Sequence, residues 1–416
     1  MIDPLAIART IHLAATTLAA GMMFFELAIA RPFVPANTLW FLYYTEKLKQ
    51  SAWIVLVTAA ISGLGWALLV AMSLSDGSAI QAISDGTLVT LLTQTRFGQV
   101  WLWRELLFLL AALSLLSSDP RIAWCRLIAV AAPLAMIGCV GHSAARPDAV
   151  GWAQLGADMA HLLAAGLWLG SLPALAFLLS GRGHLNIGAA TRRFSSFGAA
   201  AVVTLLLTGI FNAYLLTDSI WALPYSQYGQ LLLLKSSLFA VMVAFAAINR
   251  WHWTSRLPKR RAVATIRRHS LIEATLGLAV LAVVGVLGTL PPPRHAHAGS
   301  QSDEGAFVHI HDLRGMAEVR LIPGTPGQND AEVRLMQEDF SPLIAKSVVL
   351  RLSQPDQPAV TADAAPAGDG LWRVSRLALP ASGTWTVLVE IERSGKPPLP
   401  LDGPIVVDPG SPSKSE

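Results

Sequence analysis

For its first seven-tenths this chain runs apolar rather than alternating. Eight stretches rich in Leu, Ala, Val and Ile occupy residues 5–30, 51–74, 98–117, 122–142, 152–180, 194–216, 229–250 and 270–290. Each is near or above the roughly 20 residues a helix needs to cross a bilayer. The stretch 77–96 is broken by Asp85 and ends at Arg96. It is too interrupted to span and is expected on the membrane surface. After Leu290 the period changes. Pro291, Pro292 and Pro293 stop the helix, because proline lacks a donor and clashes with the preceding turn. Residues 306–408 then alternate with period two, as in 317–321, 331–335, 348–352, 371–374 and 384–389, with Gly, Pro and Asp between the runs. Short alternating strands at this spacing predict a sandwich. The predicted fold class is an all-α polytopic membrane bundle of eight transmembrane helices followed by a small all-β sandwich. The predicted parts are a membrane domain 1–290, a linker 291–305, the β domain 306–408 and a tail 409–416.

Composition agrees with a bilayer. The 416 residues are 53% hydrophobic and only 14% charged, against about 25% charged in an average soluble domain. Mean hydropathy is +0.50. The net charge of +4 does not point to nucleic acid, because the cations collect in alternate loops. Arg31, Lys47 and Lys49 follow the first stretch, and Arg121 the third. Arg182, Arg192 and Arg193 follow the fifth. Arg250, Arg256, Lys259, Arg260, Arg261, Arg267 and Arg268 follow the seventh. Cation-rich loops stay cytoplasmic, so both termini are expected outside the cytoplasm. The start, Met1 to Pro4, has no basic region, and the first stretch reads as a retained helix rather than a signal peptide. Cys125 and Cys139 fall on one helix, roughly 21 Å of rise apart, so no disulfide between them is expected.

The ionisable residues inside these stretches are not scattered. With this orientation Arg9, His12, Arg104, Glu105, His142, Asp158, His161 and Lys235 fall toward the outer side. A charge in a bilayer costs about 2.5–3.5 kcal/mol on insertion scales and usually marks a site or pathway. Three histidines at similar depth point to metal or cofactor chemistry, since imidazole suits copper, zinc and iron. The candidate metal ligands are His12, His142 and His161, with Asp158 as ligand or as the group that orients His161. Asp158 and His161 share a helix face at i and i+3, the spacing at which a carboxylate steadies a ligating ring. A purely structural Asp–His bond between helices is the bland alternative. Cys139 and Met159 are sulfur candidates, since soft ligands favour Cu(I), although methionine in an apolar helix is usually packing.

Arg9, Arg104, Glu105, Asn212 and Lys235 are expected to support the pathway, as ion pairs, anion contacts or haem-propionate contacts. Cations so close oppose Cu(I) unless Asp158 and Glu105 neutralise them. Thr204, Thr208 and Asn212 form an i, i+4, i+8 stripe that lines a path or bonds a neighbouring helix. Gly166 and Gly170 form a GxxxG packing motif. His295 with His297, and His309 with His311, are candidate metal-capture pairs outside, or simply a solvated linker. There is no Walker A loop, dinucleotide fingerprint, zinc-hydrolase signature or nucleophile elbow.

At these residues the chain resembles the copper resistance protein D family. The resemblance rests on Thr95-Arg96-Phe97-Gly98 with Trp101 and Arg104, on Gly141-His142, on Asp158 through Gly170, on Arg193-Phe194-Ser195, on Thr208 through Ala213, and on Tyr228 through Lys235. It covers most of residues 1–290, in order. The β domain is similar to YtkA-like and FixH-like domains through Gly370-Leu371-Trp372 and Gly383-Thr384-Trp385. The family resemblance implies a multi-pass protein of the bacterial inner membrane, in contact with its lipids, that handles copper and moves it inward from the periplasm. It implies a periplasmic copper carrier of the CopC type as partner. The chain lacks an evident N-terminal domain of that type, so a separate carrier or the β domain would deliver the ion. A non-enzymatic copper permease is the expected function, with copper ion as the bound species. Two alternatives stand beside it. One is a membrane oxidoreductase binding haem b, with two histidines as axial ligands. The other is a copper sensor or assembly factor that transports nothing.

Overall fold

The computed structural model describes residues 3–33, 39–75, 78–117, 119–140, 149–181, 186–216, 223–224, 227–290, 305–312, 315–336, 342–355, 357–368, 370–393 and 398–409. The chain divides into two units, Met1–Leu290 and Pro291–Glu416.

In the first unit, among the described residues, eight helices are long and apolar enough to cross a membrane. They are α1 Pro4–Phe33, α2 Leu39–Ser75, α3 Arg96–Leu116, α4 Ala123–Val140, α5 Ala149–Leu178, α6 Ile187–Leu215, α7 Gln227–Arg256 and α8 Arg260–Leu287. The Asp3 side chain caps α1 by accepting from the Leu5 N–H at 2.9 Å. In its most apolar window α1 is 67% buried, against 6% for α7, because α1 packs on α2, α4, α5 and α8 at once. The small residues allow this. A Cβ on Gly21 would strike the backbone of Gly170, and one on Gly170 would strike the Thr17 carbonyl. The Gly166/Gly170 motif therefore seats α5 directly on α1.

Several helices run past their apolar stretches. α2 starts at Leu39 rather than 51, because Phe41, Tyr44 and Leu48 bury at helical spacing. α8 starts at Arg260 rather than 270, and Ala262, Ile266, Ser270 and Glu273 bury along one face. α7 continues through a π-helical turn, Asn249–Trp253. Much of the basic segment after the seventh stretch is therefore helix rather than loop. α4 contains Pro133 and closes on a 3-10 turn, Ile137–Val140. The region read as non-spanning folds as two short helices, Ala79–Ser84 and Thr87–Gln94. Cys125 and Cys139 are free.

The second unit is an eight-stranded antiparallel barrel or sandwich. Its strands are β1 Ala306–Asp312, β2 Gly315–Ile322, β3 Gly327–Met336, β4 Ser347–Ser353, β5 Val360–Gly368, β6 Leu371–Leu379, β7 Gly383–Glu392 and β8 Leu399–Val407. The order is β1-β2-β3-β6-β5-β4-β7-β8. Alternate residues face inward, as the period-two sequence requires, and Trp372 and Trp385 join Val319, Val333 and Leu350 in the core.

Candidate functional site

The polar residues of the membrane unit fall into two groups. The first gathers on α1, α2, α3 and α4 around His12, which has no exposed surface. His12 Nδ1 lies 2.9 Å from the Ala59 carbonyl and 3.3 Å from Ser62 Oγ. His12 Nε2 lies 2.5 Å from Arg104 Nη2. A carbonyl only accepts and a guanidinium only donates. His12 is therefore neutral, with its proton on Nδ1 and its Nε2 accepting from Arg104. Arg104 Nε donates to the Pro133 carbonyl at 2.9 Å, and the guanidinium lies over Trp101, 4.2 Å from the ring centroid. Trp66, Trp101 and Phe108 ring the imidazole at 5.8, 5.3 and 6.1 Å. Glu105 reaches the same place: a Cβ on Gly63 would stand 2.5 Å from its Oε1 and 3.0 Å from His12 Cε1. Arg9 stacks over Trp66 at 4.8 Å and donates to the carbonyl of Gly288, the residue that caps α8.

The second group lies between α5, α6 and α7. His161 Nδ1 is 2.8 Å from Thr208 Oγ1, and that hydroxyl donates to the Thr204 carbonyl at 2.6 Å. The hydroxyl proton is thus committed, so His161 donates through Nδ1 and its Nε2 carries the lone pair. Asn212 Nδ2 donates to Asp158 Oδ1 at 2.7 Å. Lys235 interacts electrostatically with both Asp158 and His161. The Thr204/Thr208/Asn212 stripe is therefore the α6 wall of this group.

The turn at the end of α4 stands beside both groups. A Cβ on Gly138 would meet Asp158 Cβ at 3.3 Å and Met159 Cγ at 3.6 Å. Its neighbour Cys139 interacts electrostatically with Arg104. His142 lies outside the described residues, as do His295 and His297. Among the described residues no group of three or more His, Cys, Asp or Glu side chains is placed to hold a metal ion. In the β unit, His309 pairs across the ladder with Glu318, Nδ1 to Oε1 3.5 Å, and this contact holds the Glu318 carboxyl below the usual glutamate range. His311 stands two positions on, opposite Met316.

The sequence reading missed Trp66, Ser62 and Ala59 as neighbours of His12. Glu273 stood out in the sequence as an ionisable group of the inner half, but its place in a part-buried chain with Asn249 and His269 was missed. Asn249 Nδ2 donates to Glu273 Oε1 at 2.9 Å, and Asn249 Oδ1 lies 2.8 Å from His269 Nδ1. A lone Glu in an apolar run was the available signal.

Residues 1–152 match the family model described as copper resistance protein D-like, N-terminal domain, and residues 188–287 match that of copper resistance protein D. The chain is 30% identical over 204 residues to inner membrane protein YebZ of Escherichia coli (strain K12), covering 48% of this chain and 70% of that protein. The chain belongs to the copper resistance protein D family. It is also 27% identical over 353 residues to copper transport protein CutJ of Bacillus subtilis (strain 168), covering 80% of this chain and 61% of that relative. With copper resistance protein D of Pseudomonas syringae pv. tomato it shares 27% over 272 residues, 61% of this chain and 86% of that protein. No solved structure matches it. Both family models end before the β unit begins.

Proposed function

We propose that this family member is a copper permease of the bacterial inner membrane that carries copper from the periplasm toward the cytoplasm. The observation that carries the reading is the α5–α6–α7 group. A half-buried histidine is held by Thr208 through Nδ1, which leaves Nε2 for a metal, and a carboxylate stands one helical turn away on the same face. Hydrogen-bonding one ring nitrogen is how proteins orient the other toward a metal. Family membership and a relative named as a copper transport protein support copper as the cargo. Met159 adds a soft thioether beside Asp158, and Cys139 a thiol on the adjoining turn. His142 is proposed from sequence to complete the set. Lys235 opposes a cation, so Asp158 must stay ionised to balance it.

His12 plays a different part. Both of its nitrogens are engaged, and Nε2 faces a guanidinium. It enters a ligand set only when Arg104 moves away. We read it with Arg104 and Glu105 as a polar gate beside the α5 group. The alternating cation-rich segments support an orientation with both termini on the periplasmic side. A periplasmic copper carrier of the CopC type would then deliver the ion.

The test is copper stoichiometry and an absorption spectrum on protein purified without chelator. His161→Ala should lower copper affinity at least 10-fold, while exposed His252→Ala leaves it unchanged. Thr208→Val, which removes the group that holds His161 Nδ1, should cost about 10–100-fold, the usual effect of losing a ligand's orienting partner. Full copper binding by a well-inserted His161→Ala protein would sink the site, and a Soret band would favour haem instead.

A further inference from the structure

Glu273 sits halfway along α8 and is 2% exposed. It lies outside the groups assigned to copper. Its hydrogen-bond partner, Asn249, opens the π-helical turn of α7. Such turns inside helices are frequently found at functional sites. Among the described residues no ion pair closes on Glu273. The charged groups on adjoining elements are engaged elsewhere. Arg250 donates to Ser195 on α6, and Glu26 of α1 pairs with Arg31. Arg267 and Arg268 are exposed, as is His252, which packs beside Trp253. The Leu172–Leu178 part of α5 carries no ionisable residue. His269 alone, through Asn249, is tied to the carboxyl.

A fixed carboxylate without a cation is costly in a bilayer, and a fixed neutral acid needs no such chain. Asn249 satisfies both states. With Glu273 ionised, His269 Nδ1–H donates to Asn249 Oδ1 and Asn249 Nδ2–H donates to the carboxylate, which fits the two contacts seen. With Glu273 protonated, the amide turns over: the acid O–H donates to Oδ1, Nδ2–H donates to His269 Nδ1, and the ring keeps its proton on Nε2. We propose that Glu273 is a proton-binding site of the membrane unit, and that copper movement is coupled to its protonation. The coupling half rests on the permease reading above. Binding takes one proton from water onto a carboxylate oxygen, and release returns it. The His269 ring only exchanges tautomers with solvent, and no covalent bond to a heavy atom changes.

The experiment is an infrared pH titration of the full chain in lipid vesicles without copper. The wild type should gain a carboxylic-acid C=O band as pH falls, and Glu273→Gln should lack it. Asn249→Leu should shift the band's midpoint by about one pH unit, tenfold in proton affinity. A spectrum unchanged in Glu273→Gln overturns the proton site. Should that variant fail to insert, unchanged midpoints in both Asn249→Leu and His269→Gln overturn it instead. Copper is then added outside vesicles holding a pH-sensitive dye. Protons should move with copper in the wild type and not in Glu273→Gln. Wild-type copper movement without protons overturns the coupling. No copper movement at all fails the permease reading, while the infrared result still decides the proton site.

Discussion

His12 and His161 both stand inside membrane-unit helices, the first buried and the second half-buried, and their surroundings give them different chemistry. His161 is held through Nδ1 and leaves Nε2 its lone pair, whereas His12 spends Nε2 on Arg104. Arg104 does this with a fork: one N–H to His12 and another to the Pro133 carbonyl. Arg104→Lys keeps the charge and loses the fork. One of the two acceptors is left bare, which costs about 1–3 kcal/mol. Thermal unfolding in detergent should show the loss, and an unchanged midpoint would mean that the fork carries no stability. The sequence marked both histidines, because an imidazole in an apolar run stands out. It did not reveal their partners. Ala59 and Arg104 are 47 and 92 residues from His12, and no local period connects them. Asp158 and His161 were legible as a pair because i, i+3 is a helix face. The hydroxyl and amide that hold them come from α6, and only packing brings those in.

At the scale of elements, apolar runs located every membrane helix but not its ends. A run measures the lipid-facing core, whereas the helix continues until its backbone bonds stop. Residues 46–50 and 260–269 interleave charged or polar residues with the buried Leu48, Ala262 and Ile266, so hydropathy alone placed them in loops. The β strands were clearer, since period-two alternation follows from one face being buried. Gly166 and Gly170 were legible as a packing motif, but their partner Gly21 was not, because a single glycine carries no spacing. Gly170→Leu should strip folded protein from the membrane fraction or lower its melting point sharply. Overpacking costs typically 1–3 kcal/mol, occasionally more, and here the obstacle is the backbone carbonyl of Thr17. Gly65→Leu, whose Cβ would meet nothing within 4 Å, should be tolerated. Equal tolerance of both would refute the close approach of α1 and α5.

For the whole molecule, an even number of spans puts the two ends of the membrane unit on one side, and the cation-rich segments are the basis for proposing that this side is the periplasm. A cysteine introduced at Ser300 should react with an impermeant reagent once the outer membrane is permeabilised. Labelling only after lysis of the inner membrane would invert the orientation and the direction of transport drawn from it. The family was legible in the sequence because its motifs keep their order along residues 1–290. The candidate ligands are not brought into one cluster, because those among the described residues gather into two groups. The most direct test of the permease account is copper uptake by vesicles reconstituted with the full chain. Wild-type vesicles should accumulate copper, and His161→Ala vesicles with equal inserted protein should fall at least tenfold below them. Equal accumulation by the two would contradict transport through the α5–α6–α7 site.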